Sequence, residues 1–285
     1  MNNGRGDQDM RNTRTKVLLY ALNIIMSLLF IIPLLWMVVS SLKPENQIFA
    51  DLSSLKSLLP LHITLDNYRM AFERIPLMKF LFNSLFYVSV ICISGLGVNS
   101  ICGYALAKLR FRGSEFILVC IIALMIVPFE SILMPLYLVV NALHWVNTWF
   151  ALIVPFIANC FSIFMFRQFF MDIPNEILES ASIDGSGPLK TFASIVVPLS
   201  GPVFATVFIL DFISHWGDFM WPILVTTGES LRNIQLGIQT FFTLPPIYYG
   251  QIMATLTFTT VPIIVLFLLL QKYYVQGITS AGIKG

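Results

Sequence analysis

Long apolar runs alternate with short polar stretches along the chain, and the runs predict the elements. Crossing about 30 Å of hydrocarbon takes roughly twenty helical residues. Runs of that order lie at 17–42, 82–107, 115–140, 149–166, 200–224 and 251–271. The expected fold is therefore all-α, a polytopic membrane protein with six transmembrane helices. The run at 17–42 is longer than a signal-peptide core and lacks a clear small-residue cleavage pattern, so it reads as an uncleaved first span. Gly95, Gly97 and Gly103 in the second span offer places where neighbouring helices can pack closely. Pro128 and Pro135 should kink or interrupt the third. This pattern divides the chain into a tail at 1–16, the first helix, a mixed polar loop at 43–80 with one short helix around 67–74, a core at 81–271, and a second tail at 272–285.

One polar island interrupts the core at 172–202. Pro174 suits the first turn of a helix. At 100° per residue, Ile173, Ile177, Leu178 and Ala181 fall on one arc, with Glu176 and Glu179 opposite. Gly185 sits where a helix end wants a left-handed residue, and Ser186, Gly187 and Pro188 open a second short helix. The pattern predicts a bent helical pair with a greasy side and an acidic side. Small residues Ser180, Ala181 and Ser182 would let a partner backbone approach, and the carboxylates would accept from Arg or Lys. A docking surface and an ordinary solvated loop between two spans both fit this chemistry.

Composition agrees with the runs. Of 285 residues, 57% are hydrophobic and 11% charged, and the mean hydropathy is +0.81. A soluble chain would carry about a quarter charged residues. The four cysteines, Cys92, Cys102, Cys120 and Cys160, all lie in apolar runs without paired or metal-ligand spacing, which points to buried small hydrophobes and no metal. Six spans put both termini on one side. That side, with the turn at 108–113 and the polar island, holds eleven Lys and Arg against six on the other. Positive charge stays in the cytoplasm, so the island and both termini are expected there.

Candidate chemistry within the membrane centres on Asp211, His215 and Asp218, spaced to share one helix face. Ionisable groups at such depth are costly and face a cavity or a partner. Three readings stay open: a wall of a substrate path helped by Trp216, helix-to-helix hydrogen bonding, or a proton relay. Glu130, just after Pro128, could line the same path or cap a broken helix. No phosphate-binding Gly-rich loop ending in Lys and Ser or Thr is present, so ATP would have to act through a partner. No Ser, His and Asp set supports catalysis, so the chain reads as a non-enzyme. A secondary transporter or channel built on Asp211, His215 and Asp218 remains the alternative, though its expected internal repeat is not visible.

The stretch Glu179, Ser180, Ala181, Ser182, Ile183, Asp184, Gly185 resembles the EAA loop of ABC importer permeases. Further likeness runs through Asn83 and Ser84, the stretch Ala105 to Gly113, Pro135 to Tyr137, Pro174, Trp216 to Phe219, Trp221 with Pro222, and the closing Gly277 to Gly285. Together they resemble the carbohydrate-uptake branch, maltose-transporter type. Departures are Ser180 and Ser186 where alanine is common, and Gly217 for a common asparagine. The resemblance implies a type I permease fold in a bacterial inner membrane and a partner set. That set is a second, non-identical permease, two ATP-binding subunits, an external sugar-binding protein and a sugar. No cofactor would be bound by this chain, ATP being on the partner ATPase, and no nucleic acid is expected. Carried over, Glu176, Glu179, Ser180, Ala181, Asp184 and Gly185 would couple to the ATPase, and the tail with Gly282 and Lys284 would touch it. Trp216 and Asp218 match family positions, whereas Asp211 and His215 do not.

Overall fold

The computed structural model describes residues 3–60 and 62–282, with side chains over 15–54, 56–60 and 62–272; Lys284 lies outside the described residues. Among these residues the regular structure is helical, without strands. Four helices are long and apolar enough to cross a membrane, and two bent pairs raise the number to six when each pair counts as one span. The chain forms two compact units, 1–75 with 241–258, and 76–240 with 259–285.

The first unit contains α1 (Asn3–Ser41), α2 (Glu45–Ala50), a 3-10 turn at Leu55–Leu58, α3 (Asp66–Arg74) and the segment 241–258. The mixed loop of the sequence is folded and held by polar groups. Lys43 is fully buried, and its ammonium donates to the Asp51 carboxylate at 3.1 Å and the Lys56 carbonyl at 2.6 Å. A buried ammonium is tolerable only with its donors satisfied. Asn67 donates to the carbonyls of Ser41 and Lys43 at 2.9 and 2.7 Å. Glu45 accepts from the backbone N–H groups of Tyr249 and Gly250, 2.7 Å each, and so neutralises a helix N-terminus. Gly250 leaves no room for a side chain there, because an added Cβ would run into the Asn67 amide that bonds Ser41 and Lys43. Arg74 donates to Gln251 Oε1 and to the carbonyls of Leu244 and Pro246, while lying over the rings of Phe241 and Tyr248.

The second unit starts with α4 (Leu77–Lys108), an uninterrupted span of 32 residues. Then α5 (Ser114–Ile126) and α6 (Phe129–Ala142) bend by 105° at the Pro128 break that the sequence predicts. The fourth span is interrupted: α7 (Trp149–Ile153) passes through a 3-10 turn at Val154–Phe156 and a non-helical gap into α8 (Cys160–Met171). After α9 (Asn175–Ile183) come α10 (Pro188–Thr191), a π turn at Phe192–Val196 and α11 (Val197–Leu199). Pro198 cannot donate the regular i to i−4 bond, which favours the wider turn. That stretch bends by 81° into α12 (Gly201–Trp216). The expected fifth span ran to residue 224, but α12 stops at Trp216, because Gly217 and Asp218 break the ladder before α13 (Met220–Val225). Sixteen residues reach only about 24 Å, short of a full crossing. Helices α14 (Ile234–Thr243) and α15 (Tyr249–Gly282) complete the order.

Helices α4 and α8 pack closely because Gly103 has no side chain. A Cβ there would lie 2.6 Å from Phe166 Cβ and 3.0 Å from the Arg167 nitrogen. Gly95 meets the Ile157 carbonyl in the same way, whereas Gly97, grouped with them by sequence, faces open space. Near the α4 terminus an aromatic core of Tyr104, Phe166, Phe170 and Phe192 forms with Ile173, Val196, Val203 and Val207. This core lies directly beneath the polar island.

Candidate functional site

Helix α9 has a supported side and an open side. Ile173 is 8% exposed and belongs to the aromatic core, Leu178 packs against that core, and Ala181 is 6% exposed. Ile177, placed with them by periodicity, sits at the rim at 40% exposure. Glu176, Glu179, Ser180 and Asp184 are exposed. Ser180 Oγ donates back to the Glu176 carbonyl at 2.8 Å. Among the described residues, the carboxylates of Glu176, Glu179 and Asp184 accept no hydrogen bond and join no ion pair. Ile183 and Leu189 stand 87% and 71% exposed beside them.

The end of α9 is shaped by Gly185, at φ +78. Its N–H donates to the Ser182 carbonyl at 3.0 Å, and the Ser186 N–H donates to the Ala181 carbonyl at 2.9 Å. This Schellman closure needs a left-handed residue at that position, which favours glycine. A Cβ on Gly185 would meet nothing of this chain within 4 Å, so the demand for glycine here is conformational. Pro174 stands one position before the helix as its cap, and Pro188 opens α10 at its first position.

A residue that periodicity left aside ties this pair to the membrane. Lys108 closes α4, and its Nζ donates to the Ile173 carbonyl at 2.6 Å and Asn175 Oδ1 at 2.8 Å. Sequence shows only a basic turn at 108–113, and nothing local reveals which cation reaches back.

The intramembrane candidates lie elsewhere and are mostly enclosed. Asp211 is 8% exposed and accepts from Ser162 Oγ at 3.1 Å, joining α12 to the first turn of α8. Asn99 on α4 accepts from the Asn159 N–H at 3.0 Å and donates to the Ile157 carbonyl at 3.2 Å, which satisfies the gap before α8. His215 packs edge-on to Phe156 with 5.2 Å between centroids, and Trp216 stacks on Phe212 at 5.4 Å. Asp218, partly exposed, accepts from the Trp221 N–H at 3.3 Å at the start of α13. Glu130 is exposed in the first turn of α6, remote in chain from this cluster. Asp211 therefore bonds helix to helix, and Asp218 shapes a break. Gly282 ends α15.

Residues 99–280 match the family described as binding-protein-dependent transport system inner membrane component. The chain belongs to that family. It is 32% identical over 256 residues to the arabinooligosaccharides transport system permease protein AraQ of Halalkalibacterium halodurans, covering 90% of this chain and 91% of that one. It is 30% identical over 276 residues to the trehalose/maltose transport system permease protein MalG of Thermococcus litoralis, covering 95% and 97%. The sn-glycerol-3-phosphate transport system permease protein UgpE of Yersinia enterocolitica is 32% identical over 203 residues, 70% of this chain and 72% of that one. A crystal structure of a bacterial ABC transporter that imports the acidic polysaccharide alginate contains a chain of the same fold. Its TM-score is 0.82 at 21% identity, over 93% of this chain and 98% of that one.

The protein is thus a membrane-embedded permease subunit of a binding-protein-dependent importer, a transport subunit and not an enzyme. This decides against the secondary-transporter alternative. The permease motifs also acquire physical reasons. Asn83 donates to the carbonyls of Ser230 and Arg232 at 3.0 and 2.8 Å, and Ser84 accepts from the Ile234 N–H at 2.8 Å, so the start of α4 holds the segment before α14. Asn233, missed by sequence reading, donates to the Asp218 carbonyl at 2.8 Å and to the Tyr87 hydroxyl at 3.2 Å. Trp221 Nε1 donates to the Ala151 carbonyl at 2.9 Å.

Proposed function

We infer that this permease serves an ATP-driven carbohydrate importer and takes the thrust of ATP binding through the outer face of α9 and the bend at Gly185. One observation carries the reading. Three exposed carboxylates that accept no hydrogen bond among the described residues and two exposed aliphatic side chains share a short helical pair that is braced from beneath by an aromatic core. Exposed apolar groups beside bare charges are a poor solvent surface and a good interface. Glu176, Glu179 and Asp184 would accept from basic groups of an ATP-binding subunit, Ala181 would stay packed inward, and Ser180 would keep the contact thin.

The assembly inferred is this chain, a second, non-identical permease, two ATP-binding subunits and an external sugar-binding protein, with both termini and α9 in the cytoplasm. ATP would be held by the partner subunits alone. The tail beyond Gly282, with Lys284, would add a second contact. The carbohydrate class follows the names of two relatives, for arabinooligosaccharides and for trehalose or maltose. The path would run past Glu130 and Asp218, which keep exposure, with Trp216, His215 and Asp211 supporting its wall.

Purification from native membranes in mild detergent, followed by mass spectrometry, tests this reading. The expected result is recovery of an ATP-binding subunit and a second permease, with the ATP-binding subunit lost on Gly185→Asp or Glu179→Lys while the chain itself stays folded. Recovery of the chain alone, or full retention of the ATPase in both variants, overturns it.

A further inference from the structure

The elbow between α8 and α9 is where a push on the coupling helix would be absorbed if it were loose. Three residues, Asp172 to Pro174, turn the chain from a membrane helix into the docking helix. The N–H groups of Asp172 and Ile173 close back onto the Phe169 and Phe170 carbonyls at 3.2 Å each, but Pro174 has no N–H with which to continue that pattern. The Ile173 carbonyl projects next to a side chain that is buried in the aromatic core. A carbonyl in that setting needs a donor from another element. Lys108 supplies it, with the Ile173 carbonyl and Asn175 Oδ1 in hand and the Met171 carbonyl at 3.5 Å on the α8 side. One ammonium thus touches the last residue of α8, the elbow, and the first residue of α9.

A lysine at the end of a membrane helix ordinarily snorkels its charge into water. Here the ammonium is turned onto a neighbouring element instead, with the charges of Asp172 and Glu176 near enough to act on it. Above this clamp α4 and α8 are already inseparable, since Gly103 brings the backbones into contact and Asn99 closes the gap at the far end of α8. We propose that Lys108 is a positioning residue that locks the coupling helix to the α4 and α8 pair, so that the three move as one body when the ATP-binding subunits close. The proposal rests on the coupling reading of α9, and it adds that the elbow itself does not bend.

Spin labels at Ile101 on α4 and Ser182 on α9 report the lock, in a complex whose four native cysteines in this chain have been replaced. The separation is measured by pulsed electron resonance in lipid nanodiscs, with and without ATP and vanadate. With Lys108 present the distribution is narrow and ATP leaves it unchanged, because both labels ride on one body. Lys108→Met keeps the apolar stem but loses the donors; its distribution broadens roughly twofold and shifts with ATP, as an unlocked hinge would. Lys108→Arg restores the narrow distribution, which a merely destabilised fold would not do. Asn175→Ala removes one acceptor on the exposed side and produces a smaller broadening of the same kind, so a poorly folding Lys108→Met still leaves a test. An unchanged, narrow separation in Lys108→Met or Asn175→Ala overturns the lock, as does a separation that moves with ATP in the parent complex. Full retention of the ATPase in both Gly185→Asp and Glu179→Lys would instead sink the coupling reading, and the two failures are read from different variants.

Discussion

Two polar regions of this permease subunit carry carboxylates, and they treat them in opposite ways. Around the gap before α8, Asp211 is enclosed and paired with Ser162, and Asn99 answers both backbone groups that the gap leaves open. On α9, Glu176, Glu179 and Asp184 are exposed, and among the described residues none of the three carboxylates accepts a hydrogen bond. In hydrocarbon an unmatched polar group costs several kcal/mol, so the fold must close its own accounts there. At a water-facing surface that pressure is absent, and polar groups can wait for another protein. A polar residue that is satisfied within the chain holds structure; one that is left open marks where the chain meets something else.

The same substitution type placed in both regions should therefore fail in different ways. Asp211→Lys puts a cation in an enclosed membrane site, at a cost of about 3 kcal/mol for insertion. The expected outcome is a sharp fall in folded chain recovered from membranes. Glu179→Lys should leave that yield untouched and abolish co-purification of an ATP-binding subunit, since charge reversal at a desolvated contact costs on the order of several kcal/mol of binding. Equal yields for both variants would break the comparison.

Smaller changes sharpen it. Asn99→Leu strands the Ile157 carbonyl and the Asn159 N–H and should lower stability in detergent by about 1–3 kcal/mol, read from thermal unfolding. Gly185→Ala, strained at a left-handed position, should cost about 1–2 kcal/mol; it appears as fraying of the α9 end in amide hydrogen exchange, with the membrane helices unaffected. Ser162→Ala removes a single interhelical bond and should cost about 0.6 kcal/mol. A much larger loss in that last variant would mean that Asp211 depends on Ser162 more than one membrane hydrogen bond allows.

Most of the helices were legible because their cause is local. Hydropathy marks the spans, Pro128 marks the break between α5 and α6, and Gly185 marks the end of α9 at the residue where φ turns positive. The outward acidic face of α9 was legible for Glu176 and Glu179, but Ile177 sits at the rim, 40% exposed, while Leu178 and Ala181 turn inward. The early stop of α12 at Gly217 and Asp218 and the interruption of the fourth span before Asn159 escaped the reading by hydropathy, since apolar residues resume directly after each break.

The sequence by itself determined that this is a helical membrane permease with a polar pair of helices closed at Gly185. Span length, local backbone preference and helical period are all written into neighbouring residues. Which polar groups are paired was decided only by the tertiary structure. Ser162 and Asp211 are 49 residues apart, Asn99 and Ile157 are 58, and Lys108 and Ile173 are 65. Bonds of that reach depend on helix packing in three dimensions, with Gly103 allowing α4 and α8 to approach, and no local pattern encodes their partners.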